Sequence, residues 1–239
     1  MNRFFILIIA ILLVVVPNKT GAMFEGYDLV SESSEDNIAL YAKKIGDIYQ
    51  DFKLDFKGTI YSKPFWLNVD NPTYAPKIFY KDINGDENKE LIIILTHGTG
   101  SGLLEEEVHV FHAHNNQFYD VLVDNPIAVV LKNVITKLSL EKAEISIGDK
   151  KYTIDIKFLE IQPGNLFEDV AFGSIIDYQL KDNQLNAKIS GQISPASFVG
   201  DIIIVYEYRN KMYQTKSIRF QTPYDYKMST SIFHNMAQI

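Results

Sequence analysis

Five oxygen-bearing side chains recur at every second position over nine residues: Asp82, Asn84, Asp86, Asn88 and Glu90. Calcium is a hard cation that takes about 6–8 oxygens at roughly 2.3–2.6 Å. A tightly turning loop with a carboxylate or amide at alternate positions can aim them all at one point. Asp82, Asn84 and Asp86 would then bind through their side chains and Asn88 through its backbone carbonyl, with Glu90 closing the site from the far side. Three carboxylates around one point repel strongly without a cation. The plainer alternative is a polar turn, with Asp and Asn present for their turn chemistry. An EF-hand is excluded because no helix-forming segment flanks the loop on either side.

Other constellations are weaker. Residues 96–102, Thr-His-Gly-Thr-Gly-Ser-Gly, are glycine-rich. They lack the Gly-Lys-Ser or Gly-Lys-Thr ending of a phosphate-binding loop, and a strand follows rather than a helix. They read as a flexible hairpin loop, with 96–107 the second choice of binding surface. His109, His112 and His114 follow Glu105, Glu106 and Glu107. On a strand, His112 and His114 share a face and His109 points the other way, so the three cannot converge on zinc. A two-histidine site completed by His97 or a glutamate is the alternative, against a solvated strand end. No Gly-x-Ser-x-Gly or His-Glu-x-x-His motif occurs. A carboxylate pair for glycoside hydrolysis needs no local spacing and stays open. Trp66 with Phe65, Tyr61 and Tyr74 could stack on a sugar, although aromatic residues more often fill a core.

The elements that position these residues read as mainly β (α+β), built of antiparallel strands and hairpins. One amphipathic helix is expected over 34–49, because Ile38, Tyr41, Ile45, Ile48 and Tyr49 recur at steps of three and four behind a serine cap. Residues 26–36 before it read as a loose linker. From Phe52 the period changes to two. Short apolar runs at 78–80, 91–95, 108–111 and 118–123 are separated by turn signals. Three hairpins are expected further on: 144–147 with 151–156, 175–180 with 184–189, and 202–208 with 212–220. The domain reading is 1–22 signal peptide or N-terminal anchor, 23–50 linker and helix, 51–125 β module with the metal loop, 126–220 antiparallel β module, and 221–239 tail.

The loop and its flanking strands, Ile78-Phe79-Tyr80 and Leu91-Ile92-Ile93-Ile94-Leu95, resemble the calcium loop of FG-GAP and VCBS-type repeats. That loop reads D-x-[DN]-G-D-G-x-x-[DE]-L and leads into a hydrophobic strand. The resemblance covers about residues 77–95. It implies Asp82, Asn84, Asp86 and Glu90 as ligands, with Asn88 through its carbonyl, and Ca2+ as the bound ion. Glu87 stands where the family has glycine, at a position often needing positive φ. A single loop without a repeat at fixed period argues against a full propeller. The whole chain is also similar to small secreted proteins of Gram-positive bacteria that carry one such loop and have no assigned activity.

Composition sets the outer limits. The chain has 239 residues, 23 Lys+Arg against 30 Asp+Glu, and no cysteine. Disulfides, thiolate catalysis and Cys-zinc sites are therefore excluded. Clustered basic residues for a nucleic-acid groove are absent, so no nucleic-acid partner is expected. Phe4–Val16 is an apolar run of 13 residues behind Arg3, followed by Pro17 and the small residues Thr20-Gly21-Ala22. This is the layout of a secretory signal, and it is short for a membrane anchor, which needs about 20 apolar residues. Cleavage would leave 21 basic and 30 acidic residues, a net charge of −9. The expected protein is a secreted or cell-envelope, calcium-binding, non-catalytic β protein that binds an envelope protein or a glycan. It meets the membrane only if the N-terminal segment stays in place. An extracellular hydrolase acting on cell wall or polysaccharide, and a membrane-anchored regulator, are the alternatives.

Overall fold

A computed structural model describes residues 24–114 and 117–222. The expected signal segment 1–22 lies outside the described residues. So does the expected tail 221–239, apart from Gln221 and Thr222.

Among the described residues the chain is mainly β, with antiparallel sheets and one α-helix, and these strands do not form a closed propeller. Four strands come first: β1 (Asp28–Ser33), β2 (Ile38–Ile45), β3 (Ile48–Phe56) and β4 (Thr59–Val69). They form an antiparallel meander in chain order. Next come β5 (Lys77–Lys81), β6 (Glu90–Gly100), β7 (Leu103–His114) and β8 (Gln117–Val121). The helix α1 (Pro126–Asn133) leads into a three-stranded sheet of β9 (Val134–Leu138), β10 (Lys142–Ile147) and β11 (Lys150–Asp155). The last four strands are β12 (Ala171–Lys181), β13 (Gln184–Ser194), β14 (Ser197–Arg209) and β15 (Met212–Gln221). They join β5–β8 in one eight-stranded sheet, in which β7 and β12 pair in parallel at Leu104–Ile175 and Glu105–Ile176. This sheet runs across the boundary expected at residue 125.

The helix expected over 34–49 is overturned: that segment is the β2–β3 hairpin and the turn before it. Ile38, Leu40 and Ala42 alternate inward and are fully buried, which is the period of a strand. Of the residues at helical steps, Ile45 and Ile48 flank the turn and are exposed, so the three-and-four spacing marks no common face. Gly46, at φ +62°, turns the chain between Ile45 and Ile48. The linker expected over 26–36 is also overturned, since β1 occupies most of it and pairs with β2. The helix sits instead at 126–133, capped by the Asn125 side chain, which accepts from the Ala128 N–H at 3.0 Å, and started by Pro126.

The expected hairpins form. Two of them turn on residue pairs with positive φ at both positions, Asp182-Asn183 and Asn210-Lys211. That backbone matches the right-handed twist of the flanking strands. The hairpin β6–β7 is buried on both faces. Leu91, Ile93, Leu95 and Phe111 pack against Ile38, Leu40, Phe52, Leu54 and Trp66 of the first sheet. Ile92, Ile94, Val108 and Val110 pack on the other side, in the core shared by α1, β10, β11 and β13–β15. A strand covered on both faces reads as an unbroken apolar run, and Leu91–Leu95 is that run.

Candidate metal centre

The acidic loop is the connection from β5 to β6, closed at its base by the pair Lys81–Glu90. Its side chains fold back on its own backbone. Asp82 Oδ1 accepts from the N–H groups of Asn84 (3.2 Å) and Gly85 (2.7 Å), and Oδ2 accepts from Glu87 N–H (3.0 Å). Asn84 Oδ1 accepts from Asp86 N–H, and Asp86 Oδ1 from Asn88 N–H, each at 2.8 Å. Asp82, Asn84 and Asp86 thus each turn inward onto an N–H further along. Gly85 and Glu87 take φ of +82° and +69° to allow it. The position expected to need positive φ has it, although it carries a side chain.

Glu90 closes the loop from inside. Its Oε2 accepts from Ile83 N–H at 2.9 Å and its Oε1 from the Asn84 side-chain amide at 3.1 Å. The residue is 1% exposed. Burial pushes its pKa up to about 7; the charges of Asp86 and Asp82 add to the effect, and the Ile83 N–H opposes it. Asp86 also loses hydration, yet the donors on Asn88 and Asn84 outweigh this and hold its carboxyl below the usual range. Opposite Glu90 on β7 stands His112, whose Nε2 is 3.9 Å from Glu90 Oε1 and 3.3 Å from the Tyr213 hydroxyl. Burial lowers the His112 pKa, so it offers little positive charge at neutral pH. Tyr208 and Tyr119 complete an aromatic wall around that imidazole.

The donor types are those a hard cation takes: all are oxygen, and a buried carboxylate lies near two further acids. Asp82, Asn84, Asp86 and Glu90 would hold the ion, with the Asn88 carbonyl, and the ion would supply the missing positive charge. Among the described residues, no three His, Asp or Glu side chains are grouped so that they could hold a metal ion as they stand. Two of the five loop ligands are asparagines, and the carboxylates here are engaged by N–H groups.

The glycine-rich stretch is not a loop. Residues 96–100 complete β6 and 103–107 begin β7, leaving only Ser101 and Gly102 as a tight turn. The expected binding surface at 96–107 therefore reduces to a hairpin end, because the ladder satisfies its backbone. A bulge falls at His97: Thr96 pairs with Glu106 and Gly98 with Glu105, which leaves His97 without a partner in the ladder. The extra residue turns the His97 side chain toward the face that carries Glu107 and His109. His97 Nε2 lies 3.1 Å and His109 Nε2 3.4 Å from the same Glu107 Oε2. The His109 and His97 imidazoles hold the Glu107 carboxyl well below the usual range, and Glu107 in turn raises the His97 pKa. Of His114 only the backbone pairing with Gln117 is described. Sequence reasoning placed His109 opposite His112 correctly. It missed that a bulge brings His97 and His109 to one carboxylate.

The aromatic residues do not form a sugar platform. Trp66 is core and stacks on His109 with ring centroids 4.4 Å apart, while its neighbour Phe65 faces outward and is 93% exposed. Tyr61 packs on Phe118. No helix among the described residues is long and apolar enough to cross a membrane. Comparison with protein-family models, curated proteins and solved structures finds no match to this chain.

Proposed function

We propose that this chain is a secreted or cell-envelope calcium-binding β protein without catalytic activity, whose two-sided β body serves as a binding or structural module. The observation that carries the reading is Glu90, a carboxylate buried at the inner end of the loop, bonded to the Ile83 N–H and the Asn84 amide and close enough to Asp82 and Asp86 to feel their charge. Calcium would neutralise that acid and tie β5 to β6. The ion stabilises the fold by mass action, because the unfolded chain has no such loop. The partner is an envelope protein or a glycan, and a net negative protein finds it without attraction to anionic surfaces.

Thermal unfolding with excess calcium and with EDTA tests the reading. At calcium about 100-fold above Kd the stabilisation is about 2.7 kcal/mol, or roughly 5–10 °C for a chain of this size. A melting temperature identical in calcium and EDTA, with no heat on calcium titration, would reject the loop as a metal site.

A further inference from the structure

The second histidine cluster raises a problem that a charge pair does not solve. His97 Nε2 and His109 Nε2 are both cut off from solvent and neither makes a hydrogen bond of good geometry, although each lies within 3.4 Å of Glu107 Oε2. A protonated imidazole held by a carboxylate should aim its N–H at the oxygen. A neutral nitrogen turning its lone pair to the carboxylate would be repelled. A cation between the three atoms removes the conflict, since neutral imidazole nitrogen and carboxylate oxygen are both ligands for zinc.

The distances are near those of such an ion. Ligands at about 2.0–2.2 Å on a tetrahedron lie about 3.3–3.6 Å apart; the edge from His109 is 3.4 Å and that from His97, at 3.1 Å, is slightly short. The supports are unequal. His109 is held by the stacked ring of Trp66 and sits on a strand covered by the first sheet. His97 sits in the bulge, near the hairpin end, where a side chain can move without breaking the ladder. As they stand, no three described side chains could hold a metal ion, so the site requires His97 to turn within the bulge on binding.

We infer that His97, Glu107 and His109 form a site for a transition-metal ion of the Zn2+ type, separate from the acidic loop. Three protein ligands leave one tetrahedral position for water or for a donor from a partner. Glu105 lies on the same face, and its negative charge also acts on His97. The oxygen-only loop prefers hard calcium, whereas the nitrogen-bearing cluster prefers the borderline ion. The two sites therefore fill independently.

Trp66 is the only tryptophan in the chain and stacks directly on His109, so it reports on the site. The full chain, saturated with calcium, is titrated with Co2+ while Trp66 emission is followed, and then with Zn2+ in competition. The expected result is saturable quenching at one equivalent, reversed by Zn2+. His97→Ala and Glu107→Gln should each weaken the apparent affinity at least tenfold. Both side chains are partly exposed, and circular dichroism would verify that the variants fold. Asp82→Ala with Asp86→Ala should leave the titration unchanged. Absence of saturable quenching overturns the inference. Quenching that survives both His97→Ala and Glu107→Gln, or that disappears with the Asp82/Asp86 variant, overturns it equally by placing the ion elsewhere.

Discussion

The two ends of the β6–β7 hairpin carry acid–histidine groups of similar composition built in opposite ways. At one end Glu90 faces His112 across the ladder, on the side of the larger core. At the other, Glu107 meets His97 and His109 on the side of the first sheet. Glu90 and His97 are seven residues apart on one strand, roughly 23 Å at about 3.3 Å per residue. At the loop end, burial drives the acid toward its neutral form and the imidazole toward neutrality too. At the bulge end, the acid keeps its charge strongly and raises its neighbour. The difference lies in what surrounds the carboxylate. Glu90 is bonded by one backbone N–H and one amide and lies near two further acids. Glu107 has two imidazoles and is about half exposed. A carboxylate short of positive charge calls for a hard cation, while a carboxylate between two nitrogens calls for a softer one.

The largest test removes one end and watches the other. Asp82→Ala with Asp86→Ala should abolish calcium binding by calorimetry and erase the calcium-dependent rise in melting temperature. Trp66 emission should not move, because the ring sits on the opposite face. A shift would mean that the two ends are coupled through the strand. The converse change, Trp66→Ala, should cost about 3–5 kcal/mol in denaturant unfolding, since the ring is 6% exposed and packs on Phe52, Phe111 and His109. Calcium affinity measured on the folded variant should stay within about threefold.

Glu90→Gln gives a smaller effect of two signs. Without calcium it removes a buried charge, but one of the two accepting oxygens becomes an NH2 that faces a donor, so the net stabilisation should be about 1 kcal/mol. With calcium the benefit should vanish, because the neutral amide binds the ion poorly. Equal melting temperatures for variant and parent in EDTA would show that Glu90 is already neutral or better solvated than its burial implies.

These two ends also differ in how far the sequence reveals them. All five candidate loop ligands lie within nine consecutive residues, so their spacing alone proposes the site. The bulge cluster needs a strand register, a one-residue insertion and a turn at Ser101-Gly102, none of which local spacing records. The lost helix at 34–49 also depends on contacts distant in sequence. Ile45 and Ile48 fall at helical steps although they flank a turn and are exposed, and only packing of Leu40 and Ala42 against β6 and β7 decides between the two periods. Hairpins at Asp182-Asn183 and Asn210-Lys211 were legible because their turn chemistry is local. Which strands join β5–β8 was not, since the parallel contact of β7 with β12 links residues about seventy apart.

A buried tyrosine shows that the larger core resists charge well away from the loop. The Tyr206 hydroxyl donates to the Asp124 carbonyl at 3.0 Å, and burial raises its pKa, with the nearby Tyr178 adding to the rise. An acid whose pKa is raised on folding loses stability as pH climbs above its unfolded value, here about 10. Stability should therefore fall steeply above pH 10. Tyr206→Phe should cost about 1 kcal/mol at neutral pH through the lost hydrogen bond and flatten the alkaline limb. An unchanged alkaline limb would assign that transition to other tyrosines.

The smallest test substitutes glycine at each end and expects opposite signs. Glu87 holds φ +69° in the loop, a conformation that costs a side-chain-bearing residue about 1–2 kcal/mol. Its N–H, not its side chain, reaches Asp82 Oδ2, so glycine keeps the bond. Against the relief stands the greater freedom of glycine in the unfolded chain, worth about 0.4–1 kcal/mol. Glu87→Gly should therefore stabilise by roughly 0.5–1 kcal/mol. His97 is an irregularity of register but not of φ sign, as it is absent from the residues with positive φ. Glycine there relieves nothing and only loosens the unfolded chain, so His97→Gly should destabilise by a similar amount, about 0.5–1 kcal/mol. Urea midpoints of the two variants in EDTA would measure both. Shifts of the same sign would mean that the loop is no more strained than the bulge, and that the backbone at Glu87 is already relaxed.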